Sequence, residues 1–133
     1  MKTVEFHYGP KTLHLYMNGS AMFEIQALDD QNAADQPDVL DRMMENNADG
    51  FSLLCKIAHI LATQGELCRR YLQYTAQRIP TEHELLLALS PIQMMHLRGA
   101  VIRAINDGYG KAEIGDEGDI DTGLAELEKK TKL

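Results

Sequence analysis

Val4-Glu5-Phe6-His7-Tyr8, Gly9-Pro10-Lys11 and Thr12-Leu13-His14-Leu15-Tyr16 open the chain as two short alternating runs about a Gly-Pro break. Period-two alternation around such a break predicts a β-hairpin, with strands over 4–8 and 12–16. Val4, Phe6 and Tyr8 share one face of it, and Leu13 and Leu15 supply the cross-strand partners. Asn18 then caps a helix over residues 20–28 that carries Met22, Phe23, Ile25, Ala27 and Leu28. A lone hairpin of this size does not hold together in water, so it must lie on the helices that follow.

Those helices have clear signals. Pro37 is placed to start a short helix bearing Val39, Leu40, Met43 and Met44, ended by Asn46-Asn47-Ala48-Asp49-Gly50, which also caps the next. A long helix is predicted from Phe51 to about Gln77, with Leu53, Leu54, Ile57, Ile60, Leu61, Leu67, Cys68, Tyr71 and Leu72 at spacings of three and four. Gly65 inside it marks a kink or a close crossing. Thr81 with Glu84, and Ser90 with Pro91 and Gln93, are capping boxes for two further helices. The second of these runs to a stop at Gly108, with Ile92, Met95, Ile102 and Ile105 on one stripe and Met94, Leu97, Val101 and Ala104 beside it. The expected fold is α+β and mostly α: one domain over residues 1–110, an N-terminal β-hairpin packed on a bundle of about five helices. Residues 111–133 read as a flexible acidic tail with a short final helix from Leu124 to Lys132.

Composition narrows the function. The net charge of −7 repels a phosphate backbone, and Arg69, Arg70 and Arg78 read as the solvated face of a helix. The helix pair at 81–106 mimics a helix-turn-helix but offers only Arg98 and Arg103, so nucleic acid is not an expected partner. No apolar run is long enough to span a bilayer and no leader pattern opens the chain, so the expected location is the cytoplasm, away from membranes. Cys55 and Cys68 sit thirteen positions apart on one helix, too far for a disulfide. Cys55 and His59 are one turn apart, but a second pair of zinc ligands is missing. Reading from Asp116, the acidic tail fails the calcium-loop pattern, with Gly118 third, Asp121 sixth and Leu127 twelfth. With no phosphate loop, dinucleotide fingerprint or paired catalytic carboxylates, neither a cofactor nor an enzyme activity is expected.

The two methionine pairs, Met43-Met44 and Met94-Met95, are the candidate contact residues, joined by Leu97 and Val101. Neighbours on a helix point about 100° apart, so one of each pair can face the core and the other a partner. Methionine adapts to irregular apolar surfaces. Glutamate at both Met94 and Met95 is expected to abolish partner binding and leave the fold intact.

Met17-Asn18-Gly19-Ser20-Ala21-Met22-Phe23-Glu24, Gln64-Gly65-Glu66-Leu67-Cys68-Arg69-Arg70, Ala100-Val101-Ile102-Arg103-Ala104-Ile105 and the ending Gly123-Leu124-Ala125-Glu126-Leu127-Glu128-Lys129-Lys130 together resemble the small tail assembly chaperones of long-tailed bacteriophages and prophages. The resemblance implies a self-associating, α-rich protein of the host cytoplasm that coats the tape-measure protein and keeps it soluble until the tail tube forms. It also implies a second, longer form made by ribosomal frameshifting. A contrasting reading of the same residues is a small acidic regulatory or inhibitor module, antitoxin-like or a transcription-factor partner.

Overall fold

The computed structural model describes residues 2–29 and 38–110. Strands β1 (Val4–Tyr8) and β2 (Lys11–Leu15) form an antiparallel hairpin, followed by helices α1 (Gly19–Asp29), α2 (Val39–Met43), α3 (Ala48–Tyr71), α4 (Glu82–Ala88) and α5 (Pro91–Gly108). This is the expected hairpin on about five helices. Pro37 and everything beyond Gly110, including the acidic tail and its final helix, lie outside the described residues. No helix among the described residues is long and apolar enough to cross a membrane.

The hairpin pairs Val4 with Leu15, Phe6 with Leu13 and Tyr8 with Lys11. Gly9 has φ +57°, and the proline after it has the negative φ its ring imposes, the pattern of a type II′ turn that suits the strands' right-handed twist. Phe6, Leu13 and Leu15 are buried, while the opposite face carries Glu5, His7 and Thr12, with His7 Nδ1 2.9 Å from Thr12 Oγ1.

Helix α3 is the axis of the molecule. Strand β2 and helices α1, α2, α4 and α5 all pack on it, and α5 also covers β1. Leu54, Ile57, Ala58 and Leu61 are fully buried along its length, facing Leu15, Met43, Leu85, Leu97 and Val101 from the surrounding elements. Asn47 caps it by accepting from the Gly50 N–H at 2.7 Å. Gly50 leaves room for the carbonyl of Glu45, which would stand 2.1 Å from an added Cβ.

Gly65 does not interrupt the helix, which is continuous through it. It lets β2 lie directly on α3: an added Cβ would fall 1.7 Å from the carbonyl oxygen of His14. Beside it, the Tyr16 N–H donates to the Leu61 carbonyl at 3.1 Å. Asn18, the cap of α1, accepts from the Ala21 N–H at 2.9 Å and donates through Nδ2 to Gln64 Oε1 at 3.0 Å.

Helix α3 stops at Tyr71, before the predicted Gln77, where Gln73 takes φ +70° and turns the chain away. Glu66 holds the returning segment. This buried carboxylate accepts from Arg69 at 2.8 Å, from Arg70 at 3.0 Å and from the Gln77 N–H at 2.6 Å. Burial alone would raise its pKa, but the Gln77 N–H and the two guanidiniums outweigh it and bring the carboxyl below its ordinary value. Further on, the capping box of α4 is closed by Glu84, whose carboxyl is drawn down to about 2 by the Thr81 N–H and by Arg78.

At the other end, Gly108 is the last helical residue of α5 rather than the left-handed stop, which is Gly110 at φ +71°. Gly108 is needed for contact: an added Cβ would come 2.5 Å from Met17.

Two outcomes follow from these contacts. Gly65→Ala gains about 1 kcal/mol of helix propensity but drives a methyl into the His14 backbone, so urea unfolding should show a net loss of about 2 kcal/mol or more. Glu66→Gln should destabilise by about 3 kcal/mol by leaving the half-buried Arg69 without its carboxylate. Because the folded carboxyl titrates below the unfolded value of about 4.3, its stabilisation is complete above that pH and is lost as pH falls through the folded value. Wild type should therefore lose stability on acidification more steeply than Glu66→Gln, as read from urea midpoints between pH 6 and 3.

Candidate functional site

Helix α5 starts firmly. Ser90 accepts from the Gln93 N–H, Gln93 Oε1 accepts from the Ser90 N–H at 2.9 Å, and Pro91 fills the first turn. With its start fixed, its faces are fixed too. Met94, Leu97, Ala100, Val101, Ala104 and Ile105 point inward, and Ile92, Met95, Gly99 and Ile102 lie along the outer side. Ile92 is 64% exposed and Met95 49%, while Ile102 packs partly against the core.

This corrects the expected contact residues. Met94 is buried against α3, its Sδ 3.8 Å from Cys55 Sγ, and Leu97 and Val101 are fully enclosed. Met43 is likewise enclosed, on the inner side of α2. These four fill the space around α3, so a partner cannot reach them while this packing is kept. Met44 and Met95 are the outward members of their pairs, as the angular offset of helix neighbours requires.

The outer stripe of α5 has the three-four spacing of a coiled-coil seam: 92, 95, 99, 102 and then Asn106. Nothing but the Arg103 guanidinium, at 4.0 Å, approaches the position of a Cβ on Gly99, so the middle of the seam is open to another backbone. Two arginines flank it. Arg98, only 7% exposed, donates from Nη2 to the Glu45 carbonyl at 3.3 Å and stacks over Phe51, but its Nε has no hydrogen-bond partner among the described residues. Every other arginine except Arg103 is held by a carboxylate: Arg42 by Asp49, Arg69 and Arg70 by Glu66, Arg78 by Glu84. The guanidiniums without a carboxylate among the described residues are thus both on α5.

Sequence reasoning missed a second exposed apolar group at the end of α3. Leu67, Tyr71 and Leu72, expected in the core, are exposed together with Tyr74, because the core ends at Cys68. Leu72 and Tyr74 border a cleft of about 580 Å³ that is also lined by Lys2, Glu5, His14, Cys68 and Arg69. Of its two cations, Arg69 is already engaged, 5.5 Å over the Tyr74 ring and on Glu66. Burial, with Arg69 nearby, holds the His14 imidazole below its ordinary pKa.

The residues with catalytic or metal-binding potential are dispersed. His59 Nδ1 sits 2.9 Å from the Pro80 carbonyl, while Cys55 faces Met94. Burial, helped by Glu82, pushes the Cys55 thiol up to about 11, the reverse of an activated nucleophile. No group of three His, Cys, Asp or Glu side chains able to hold a metal ion occurs among the described residues.

Comparison with known proteins returns no matching family model, no matching curated protein and no matching solved structure.

The two faces of α5 make opposite demands on neighbouring methionines. Met94→Glu places a charge in the core and should destabilise the protein by about 3 kcal/mol or more. Met95→Glu should stay within about 0.5 kcal/mol of wild type. Thermal unfolding of the two single variants separates them, and near-equal losses would show that the assignment of faces is wrong.

Proposed function

We propose that this protein is a non-enzymatic chaperone whose α5 seam receives one apolar-striped helix of a partner. In the setting that the sequence resemblance implies, that partner is a phage tape-measure protein awaiting tail assembly. The observation that carries the reading is the seam itself: Ile92, Met95, Gly99 and Ile102 at heptad spacing on the outside of a helix whose inner face is already filled. A fold that needed α5 only for its core would place polar residues there.

The physics fits the task. A long helical protein that has not yet been enclosed exposes apolar stripes that aggregate. Packing a second helix along a three-four seam at a shallow angle covers such a stripe, and Gly99 lets the two backbones approach closely. Met95 adds a side chain that adapts to whatever residue it meets, which suits a client presenting many different turns. The same seam is available for self-association when no client is present.

Co-expression with the candidate tape-measure partner tests this. Wild type should bring the partner into the soluble fraction and co-purify with it. The double variant Ile92→Glu/Met95→Glu should remain folded and lose both effects. Rescue by the double variant would remove the seam from the reading. Failure of the folded wild-type chain to rescue an expressed partner would favour the regulatory module instead.

A further inference from the structure

The free edge of the hairpin is β1. In an antiparallel pair, residues directly opposite each other are alternately bonded and not bonded through their main chains. The His14 carbonyl points away from β1, toward Gly65, and the Tyr16 N–H points away as well, to the Leu61 carbonyl. The pair Glu5–His14 is therefore an unbonded one, and by alternation so is His7–Thr12. The main-chain groups of Glu5 and His7 then face outward from the opposite edge. Helix α3 lies against the outward edge of β2, whereas among the described elements β1 touches only β2 and α5, and Phe6 on its inner face is buried. No bulge, proline or lysine interrupts the five residues of this edge, so the devices that usually protect a strand from pairing are missing from it.

We propose that β1 pairs antiparallel with β1 of a second copy about a two-fold axis at Phe6, joining the two hairpins into one continuous sheet. The strand's own sequence selects this occupant and this register. Only outward-facing residues bond across the new boundary, so the pleat allows the axis to pass at Glu5, Phe6 or His7. Centred on Glu5, the pairing sets carboxylate against carboxylate; centred on His7, it sets imidazole against imidazole. Centred on Phe6, it places Glu5 opposite the partner's His7 on both sides of the axis, and it alone keeps all five residues of each strand in the ladder. Glu5 and the partner's His7 then exchange both main-chain hydrogen bonds. The side chains are ready for it: Glu5 and His7 are exposed on the outer face, with Glu5 Oε1 3.4 Å from His7 Nε2 of the same copy. The axis sets a second such row against the first in reversed order. On the inner face Val4 meets the partner's Tyr8, a β-branched residue beside an aromatic ring, and both are only half-buried in the single copy. Nothing in this contact uses the outer stripe of α5, so it stands independently of the proposed function.

The test is sedimentation of the full-length chain, with amide hydrogen exchange read at Glu5 and His7, from about 10 µM to about 1 mM, because a contact this small binds weakly. Wild type should move from monomer toward dimer over that range, and the Glu5 and His7 amides should exchange severalfold more slowly at its upper end. His7→Pro removes an outward N–H and leaves the bonds to β2, so it should keep the fold and lose the dimer. His7→Glu sets carboxylates against each other on both sides of the axis and should weaken pairing about tenfold. Glu5→Lys/His7→Glu, which exchanges the two signs, should recover it. A folded wild-type chain that stays monomeric throughout would overturn the proposal. So would a dimer indifferent to His7→Pro or His7→Glu, or one abolished by Ile92→Glu/Met95→Glu, which would place the contact on α5. Glu5 and His7 amides protected equally at every dilution would also overturn it, since the edge would then be covered within one copy.

Discussion

The approach of β2 to α3 at Gly65 is the contact on which the remaining packing depends. The His14 carbonyl lies where any side chain at that position would stand. The Tyr16 N–H bonded to the Leu61 carbonyl and the Asn18 amide bonded to Gln64 continue the same contact along one side of the helix. Together they fix the height of the hairpin on α3, its distance, and the point from which α1 departs. Phe6 and Leu15 then fall where α5 can close over them. A hairpin this short has no stability of its own to set its position. It takes that position from a helix with nearly five times as many residues as either strand.

Much of this was legible in the sequence because the signals were local. The Gly-Pro break, the alternation about it, and the capping boxes at Thr81 and Ser90 act through atoms a few residues apart, and each stands where the spacing placed it except that the second strand runs from Lys11 to Leu15, one residue earlier than expected. What could not be read depends on elements far apart in the chain. Leu67, Tyr71 and Leu72 continue the periodicity of α3 faithfully, yet among the described residues that side of its last turns is left uncovered, so they face outward. Gly65 and Gly108 looked like punctuation within the chain, but each makes room for a residue about fifty or ninety positions away, His14 and Met17. The candidate site was half legible. That methionine neighbours diverge was certain from helix geometry, but which member of each pair turns outward depended on where α3 lies.

Charge is organised as strictly as apolar surface. Glu66 serves two arginines and a backbone N–H at once, tying the end of α3 to the segment that leads into α4. Glu84 does comparable work one turn into α4, meeting both the Thr81 N–H and Arg78. Against that economy the two arginines on α5 without a carboxylate are the exception, and they flank the outer stripe of that helix. Exposed apolar groups and arginines without a carboxylate coincide on one side of α5, whereas at the exposed end of α3 the neighbouring Arg69 and Arg70 are both held by Glu66.

The pairing of the first strand with the last helix also governs how the chain can be made. β1 leaves the ribosome first and α5 last of the described elements, and each covers the other. Until α5 emerges, β2 has its α3 contact, but Phe6 and the rest of β1 have no lid. The step that completes the domain must therefore join segments nearly a whole domain length apart, which makes it the slowest class of closure a small protein undertakes. Synthesis carries the chain through an interval of half-built core, and that interval ends only after Pro91–Gly108 has been translated and freed. A protein proposed to guard another from aggregation thus passes, each time it is made, through an exposed state of its own.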